Sequence, residues 1–419
     1  MSKRIISEKI QLDNNTRSTQ LNNNDLLIGT TGSGKTGSYV SPYLLTAQES
    51  FIVTDTKSNL CRTYRKYLEK RGYQVFLLDL TDPSEGCGYN PMQYIGKTVR
   101  NGKVHYKEKD ILSIAAALCP VKNTKDPFWE MTSQSLIACL ISYVLEEFHE
   151  KDHNLATVSD VFKLMVAGIH AKNVSFMEEH CLKNPDSFAA RKFMMLQHSF
   201  DADRTWSCIE MFVSSALNVF DFDGAREMLQ KPPAFRLEQL GRQKCALFLN
   251  VSDTDRCLDQ IVNLLYTQAF QVLCREADAQ PDSRLKMPVR ILMDDFASNT
   301  RIPDFDKLIS VIRSREISVS IILQNLSQLS SVYSDAQKWT IVNNCDSILY
   351  LGGTDMSTIY YIAERARKSP DEIMALELDK AYFIQRGLKS AVKIDKLKPY
   401  AMAKAAFAKE RGEAEGVPL

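Results

Sequence analysis

The chain has almost no net charge. Lysine and arginine number 52 against 51 aspartates and glutamates, a formal +1, so no whole-chain electrostatic footprint is available for a polyanion. Any contact with nucleic acid has to come from a local patch. A cysteine framework is also missing. The ten cysteines are scattered, without a C-x-x-C pair or a paired Cys/His spacing. That excludes a zinc module and suits reduced thiols of a cytosolic protein, most of them small buried hydrophobes. His149 and His153 stand four apart, but among Glu147, Glu150, Lys151 and Asp152, the composition of a solvated helix end. Long apolar runs are absent too. The stretches 111–121 and 136–145 fall well short of the roughly 18 to 20 residues that span a bilayer. The opening MSKRIISEKI has no signal-peptide h-region, so a soluble chain is expected. No internal repeat is found.

What is present is an ordinary globular composition, 44% hydrophobic and 25% charged over 419 residues, long enough for two or three domains. Residues 1–24 are polar and Asn-rich (LDNNTRSTQLNNND), which predicts an exposed lead-in loop. Asp25-Leu-Leu-Ile28 is a short apolar run that leads into a Gly-rich loop and then a helical pattern. Apolar runs recur at 51–54, 75–78, 246–251, 289–293, 319–323, 347–351 and 381–384, alternating with helical stretches after Pro232-Pro233. Between them, segments such as SQSLIACLISYVLEEF and TWSCIEMFVSSALNVF keep helical periodicity only. The predicted architecture is α/β: a doubly wound, mostly parallel sheet interrupted by an all-α insert. The predicted segments are 25–105 and 236–400 for the sheet domain, 106–235 for the insert and 401–419 for a helix-prone tail that ends loosely.

Gly29-Thr30-Thr31-Gly32-Ser33-Gly34-Lys35-Thr36 matches G-x-x-x-x-G-K-[S/T] between a predicted strand and a predicted helix, the context that defines a P-loop. Glycines let successive backbone N–H groups converge on phosphates, and the helix N-terminus adds a favourable dipole. Lys35 reaches the β and γ phosphates, and the Thr36 hydroxyl ligates Mg²⁺. Such a site also needs a carboxylate delivered from a neighbouring strand to the same sheet edge. Val289–Met293 followed by Asp294 and Asp295 supplies it, Asp294 toward the metal and Asp295 toward the attacking water. Val319–Leu323 ends on Gln324, a candidate γ-phosphate sensor. Arg313 and Arg315, in KLISVIRSR, are candidates for arginine fingers or for DNA phosphate contacts.

These segments together resemble a known family, the TraG/VirD-type coupling proteins of type IV secretion, the DNA-pumping ATPases of conjugation. The likeness is greatest to the forms carried by mobile elements of Gram-positive bacteria. It covers nearly the whole chain and rests on LDNNT with NNNDLLIGTTGSGKT, on FIVTDTKSNL, YNPM and DPFWEMTSQSLIACLISYVLEE. Above all it rests on MDDFASNTRIPDFDKLISVIRSREISVSIILQNLSQL with NNCDSILYLGG. The resemblance implies a RecA-like domain that binds ATP and Mg²⁺, an inserted all-α domain that meets a relaxase–DNA substrate, and a hexameric ring with ATP sites between subunits. The implied partners are single-stranded DNA with its bound relaxase and the components of the secretion channel. Lys35 and Thr36 match the Walker A pair, Asp294 the Walker B aspartate and Gln324 the sensor. Two departures stand out. Asp295 occupies a position that is usually glutamate in the family, one methylene shorter and so about 1.5 Å less far-reaching. Family members usually begin with membrane-spanning helices, and this chain shows none, so it is expected in the cytoplasm, at the cytoplasmic face of the membrane through partners. The alternative expectation is a nucleotide-binding adaptor that recruits substrate without efficient hydrolysis.

Overall fold

Apolar runs without polar alternation, such as Leu26-Leu27-Ile28 and Val289–Met293, fit strands covered on both faces, and that is where the computed structural model has them. It describes residues 3–100, 102–121, 125–171, 173–200, 202–296 and 301–410. The strands in chain order are β1 (Lys3–Ile5), β2 (Gln11–Asp13), β3 (Asp25–Ile28), β4 (Ser50–Asp55), β5 (Gln74–Asp79), β6 (Lys97–Arg100), β7 (Lys103–Tyr106), β8 (Cys245–Asn250), β9 (Val289–Met293), β10 (Ile317–Leu323), β11 (Ser347–Tyr350), β12 (Lys380–Gln385) and β13 (Val392–Asp395). The described residues fall into two compact units, one drawn from 3–81, 236–254 and 270–410, the other from 82–235 and 255–269.

The first unit is built on a nine-stranded sheet in the order β13-β12-β11-β3-β10-β9-β4-β8-β5. From β11 to β5 all neighbours are parallel. At the other edge β12 pairs antiparallel with β11, and β13 with β12. The strand at 381–384 that the sequence predicts is thus present but runs against its neighbour, a direction that local periodicity does not encode. The register sets the functional edge. Ile28 lies opposite both Leu323 and Tyr350, and Met293 lies opposite Ile321. The chain therefore leaves β3, β9, β10 and β11 at one edge, the carboxyl edge where ligands of open α/β sheets bind.

The opposite edge corrects the expectation of an exposed lead-in. β1 and β2 form an antiparallel hairpin, and Arg4 is buried, with its guanidinium donating to Asn14 Oδ1 at 2.7 Å and Asp25 Oδ1 at 3.0 Å. Arg290, in the interior of β9, has no exposed surface. Its Nε meets Glu49 Oε1 at 2.9 Å and its Nη1 meets Asp25 Oδ2 at 3.2 Å. A polar, Asn-rich lead-in packs here because its amides and backbone supply acceptors to buried guanidinium groups, which are costly unless paired and hydrogen-bonded.

In the second unit the helix Phe128–Glu147 is the core element. Residues Leu136 to Ile141 are wholly buried, a helix apolar all round because its neighbours 108–118, 155–170, 188–200 and 203–217 pack around it. His180, on the helix Ser175–Lys183, is buried and links it to this core helix, with Nδ1 at 2.7 Å from Glu147 and Nε2 at 2.9 Å from Glu146. The sequence divides the chain at 105/106, the structure at 81/82. Residues that follow β5 are held to the helical unit by side chains: Asn90 Nδ2 donates to the His153 carbonyl at 2.8 Å, and Gln268 Nε2 donates to that of Pro91 at 2.9 Å. At the C-terminus residues Pro399–Glu410 are helical, while 411–419 of the predicted loose tail lie outside the described residues. No helix among the described residues is long and apolar enough to cross a membrane.

Candidate nucleotide-binding site

The loop 29–34 leaves β3 at the carboxyl edge and turns into a helix whose first turn, Thr36–Val40, is π-helical and continues as α-helix over Ser41–Thr46. Such turns recur at functional sites. Two backbone hydrogen bonds fix the start of the loop: Gly29 N–H donates to the Leu323 carbonyl at 3.1 Å and Thr30 N–H to that of Gly352 at 3.1 Å. Glycine is required at 29 by close approach, since a Cβ there would lie 2.9 Å from Leu351 Cβ and 2.4 Å from Ser33 Oγ. At Gly34 it is required by a φ of +88°. Thr31, Gly32 and Gly34 are exposed at the tip.

Lys35 Nζ donates to the carbonyls of Gly29 at 2.9 Å and Thr30 at 3.4 Å, so the ammonium is folded over the mouth of its own loop. Thr36 Oγ1 donates to Asp294 Oδ2 at 3.3 Å across 258 residues of chain. Asp294 is buried at the end of β9, and its carboxyl is pushed up to about 6, first by burial and then by Asp295, with Lys35 opposing. Asp295 has a left-handed backbone, φ +48°, and its amide donates to Asp294 Oδ1 at 3.0 Å. Two buried polar atoms here have no hydrogen-bond partner among the described residues, Ser33 Oγ and Asp295 Oδ1. Adjacent carboxylates countered mainly by one lysine, a threonine hydroxyl and orphaned oxygens at a loop of this shape fit a magnesium–nucleotide ligand.

Gln324 follows β10, the strand lying between β3 and β9, and its amide donates to Gln328 Oε1 at 2.9 Å. It therefore stands at the same edge as Gly29 and Asp294. Arg313 and Arg315 do not. They precede β10, so a strand of seven residues separates them from that edge, roughly 20 Å at about 3.3 Å per residue. Arg313 donates to the Thr16 carbonyl at 3.1 Å, and Arg315 holds Asp278 through Nε at 2.8 Å and Nη2 at 3.3 Å. Sequence inspection missed Lys396, whose Nζ donates to the carbonyls of Ser33 at 2.9 Å and Leu351 at 3.0 Å. Its ammonium pKa is lowered by burial. KIDKLK carries no motif, so no spacing argument reaches that residue.

A parallel sheet with a P-loop after a central strand, an acid at the end of the next strand but one, and an amide-ended strand between them defines the RecA-like P-loop class. Residues 2–369 match the family profile described as type IV secretory system conjugative DNA transfer, and the chain belongs to that family. Among its relatives is protein VirD4 of Agrobacterium fabrum, 22% identical over 343 residues that make up 81% of this chain and 48% of VirD4. VirD4 of Rhizobium rhizogenes is likewise 22% identical over 343 residues, covering 81% of this chain and 48% of its own. The chain thus spans about half the length of the curated relatives it matches. Among solved structures, the plasmid coupling protein TrwB in complex with the non-hydrolysable ATP analogue ADPNP has a TM-score of 0.67 at 15% identity, over 95% of this chain and 90% of TrwB. TrwB with ADP and Mg²⁺ has 0.65 at 16% identity, over 91% and 86%. VirB4 of Thermoanaerobacter pseudethanolicus has 0.53 at 14%, over 90% of each chain. All three share its fold.

Proposed function

We propose that this chain is a coupling-protein ATPase that recruits a relaxase-bound single strand of DNA and drives its transfer through a type IV secretion channel. The observation that supports this most directly is the contact of Thr36 Oγ1 with Asp294 Oδ2 at 3.3 Å, a hydroxyl and a carboxylate from distant segments converging beside the P-loop. In this proposal the backbone N–H groups of residues 29–34 and the Lys35 ammonium bind the phosphates, and Thr36 and Asp294 hold magnesium. When bound, that ion supplies neutralisation of the phosphate charge. Asp295 orients the attacking water and accepts its proton, and Gln324 positions the γ-phosphate. The work of these residues is positioning and charge neutralisation. ATP sites at the interfaces of a hexameric ring at the cytoplasmic face of the membrane complete the proposal. A role for Arg313 or Arg315 at a nucleotide is confined to that of a neighbouring subunit.

The test is ATP hydrolysis by the purified chain with and without single-stranded DNA, over a range of protein concentrations, alongside Lys35→Ala. The proposal expects turnover that rises with DNA and with protein concentration and falls by about 100- to 1,000-fold in the variant. ATP binding with background turnover under every condition would leave the adaptor instead.

A further inference from the structure

A chain of net charge +1 meets a polyanion through a local patch or not at all. Between Lys97 and Lys107 the sequence KTVRNGKVHYK holds four lysines and arginines, one histidine and no acid. It folds as the β6–β7 ribbon, a two-stranded sheet that no third strand joins among the described residues. The pairing is Lys97 with Tyr106, Thr98 with His105, Val99 with Val104 and Arg100 with Lys103. Successive side chains alternate between faces. One face therefore carries Thr98, Arg100, Lys103 and His105, all exposed, and the other carries Lys97, Val99, Val104 and Tyr106.

The two ends of the ribbon differ. At its base Lys97 Nζ meets Glu150 Oε1 at 2.7 Å, and the Tyr106 ring stands edge-on to His153 at 6.1 Å between centroids. Toward the tip, Arg100 and Lys103 have no ion-pair partner among the described residues. Val99 and Val104 stay 69% and 49% exposed. A lone two-stranded hairpin is marginal in water, and one that leaves its valine pair uncovered beside unpaired cations has the surface of an element whose partners lie outside the chain. On the helix Leu60–Lys70 and just after it, by contrast, Arg65 faces Glu69 at 3.7 Å and Arg71 donates to the Ala47 carbonyl at 3.0 Å.

We propose that the β6–β7 ribbon grips single-stranded DNA, with Arg100 and Lys103 on backbone phosphates, Thr98 and His105 hydrogen-bonding the same backbone, and Val99 and Val104 against a base or deoxyribose face. This rests on the reading that the chain handles DNA. Such a grip is blind to sequence, and its strength depends on salt through the number of phosphates neutralised. Its exposed position lets charge be reversed without disturbing a core.

The experiment compares the chain with Arg100→Glu/Lys103→Glu and with the charge-conserving Arg100→Lys/Lys103→Arg. It measures binding of a fluorescein-labelled 30-mer of oligodeoxythymidylate by anisotropy over a salt series, and binding of a fluorescent ATP analogue as a check on folding. Charge reversal is expected to weaken oligonucleotide binding at least tenfold and to lower the slope of log K against log salt by about 1.4, near 0.7 for each phosphate that is no longer neutralised. The charge-conserving variant and the ATP analogue should behave as in the parent. If the charge-reversed chain binds the 30-mer as the parent does, the ribbon is not the grip, although the DNA reading stands. If the parent itself fails to bind the 30-mer at low salt, the DNA reading falls and the ribbon proposal with it. Cosedimentation with vesicles of phosphatidylcholine and phosphatidylglycerol that depends on these two residues, with oligonucleotide binding unaltered, would make the ribbon a membrane-surface element and overturn the proposal.

Discussion

Lys396 donates to the main-chain oxygen of Ser33 at 2.9 Å from a position 363 residues further along the chain. The same ammonium holds Leu351, whose amide donates to the Ile28 carbonyl at 2.7 Å, so one cation joins the P-loop to the strand end beside it. Just beyond, Pro399 stands where a Cβ on Gly37 would lie 3.3 Å from its Cγ, and Phe407 packs on Tyr64 and Tyr67 with centroids 6.2 and 5.6 Å apart. The C-terminal segment thus braces the loop and the helix that follows it. Lys396→Met is expected to weaken binding of a fluorescent ATP analogue about tenfold, roughly 1.4 kcal/mol. Lys396→Arg should retain part of the affinity, and the loss should appear in KM rather than kcat.

Asp294 and Asp295 are adjacent, yet their surroundings assign them different tasks. Asp294 is buried against Thr36, whereas Asp295 turns away in a left-handed conformation with an oxygen that no described residue satisfies. Asp295→Asn should leave ATP-analogue affinity nearly unchanged and reduce turnover by about 100-fold or more, the usual range for a lost general base. Asp295→Glu should keep measurable turnover. Equal loss of binding and turnover in Asp295→Asn would place the residue with the metal instead.

Arg315→Ala removes a half-buried pair with Asp278 at the amino edge of the sheet. It is expected to cost roughly 0.5–1 kcal/mol of stability and to leave nucleotide affinity of the isolated subunit untouched. A drop in that affinity, measured at protein concentrations too low for assembly, would contradict the observed placement.

His180 lies between the carboxylates of Glu146 and Glu147. Burial alone would lower its pKa, but those two hydrogen-bonded acids outweigh burial and raise it above the ordinary value. A raised folded-state pKa stabilises the charged form. The contribution is complete below the unfolded value near 6.5 and is lost as pH rises through the higher folded value. Thermal melts should therefore show the helical unit losing stability from neutral to mildly alkaline pH, and His180→Gln should flatten that dependence. An unchanged profile in the variant would show that the slope comes from elsewhere.

Arg290→Met leaves Glu49 and Asp25 short of a buried counter-charge. Breaking a pair of this kind costs about 3–5 kcal/mol, which denaturant unfolding should register as a large fall in midpoint.

Features that depend on neighbours along the chain are written in its order of residues. The strand, Gly-rich loop and helix around Lys35 are legible because phosphate-binding geometry is local, and Asp294 and Gln324 because each ends a short apolar run. The all-α character of the insert is legible because residues such as Leu136 to Ile141 lie within a long stretch of helical period. Folding in three dimensions settles what depends on the order of strands and on side chains that meet across hundreds of residues. No local pattern states that β10 lies between β3 and β9 and runs parallel to both, and that placement puts Gln324 at the nucleotide edge and Arg313 and Arg315 at the other. Arg290 has one hint in sequence, a charge inside V-R-I-L-M, but its partners come from residues 25 and 49. Lys396 has none. Its role is fixed by the antiparallel return of β12 and β13, which delivers the chain to the P-loop only once the sheet is assembled.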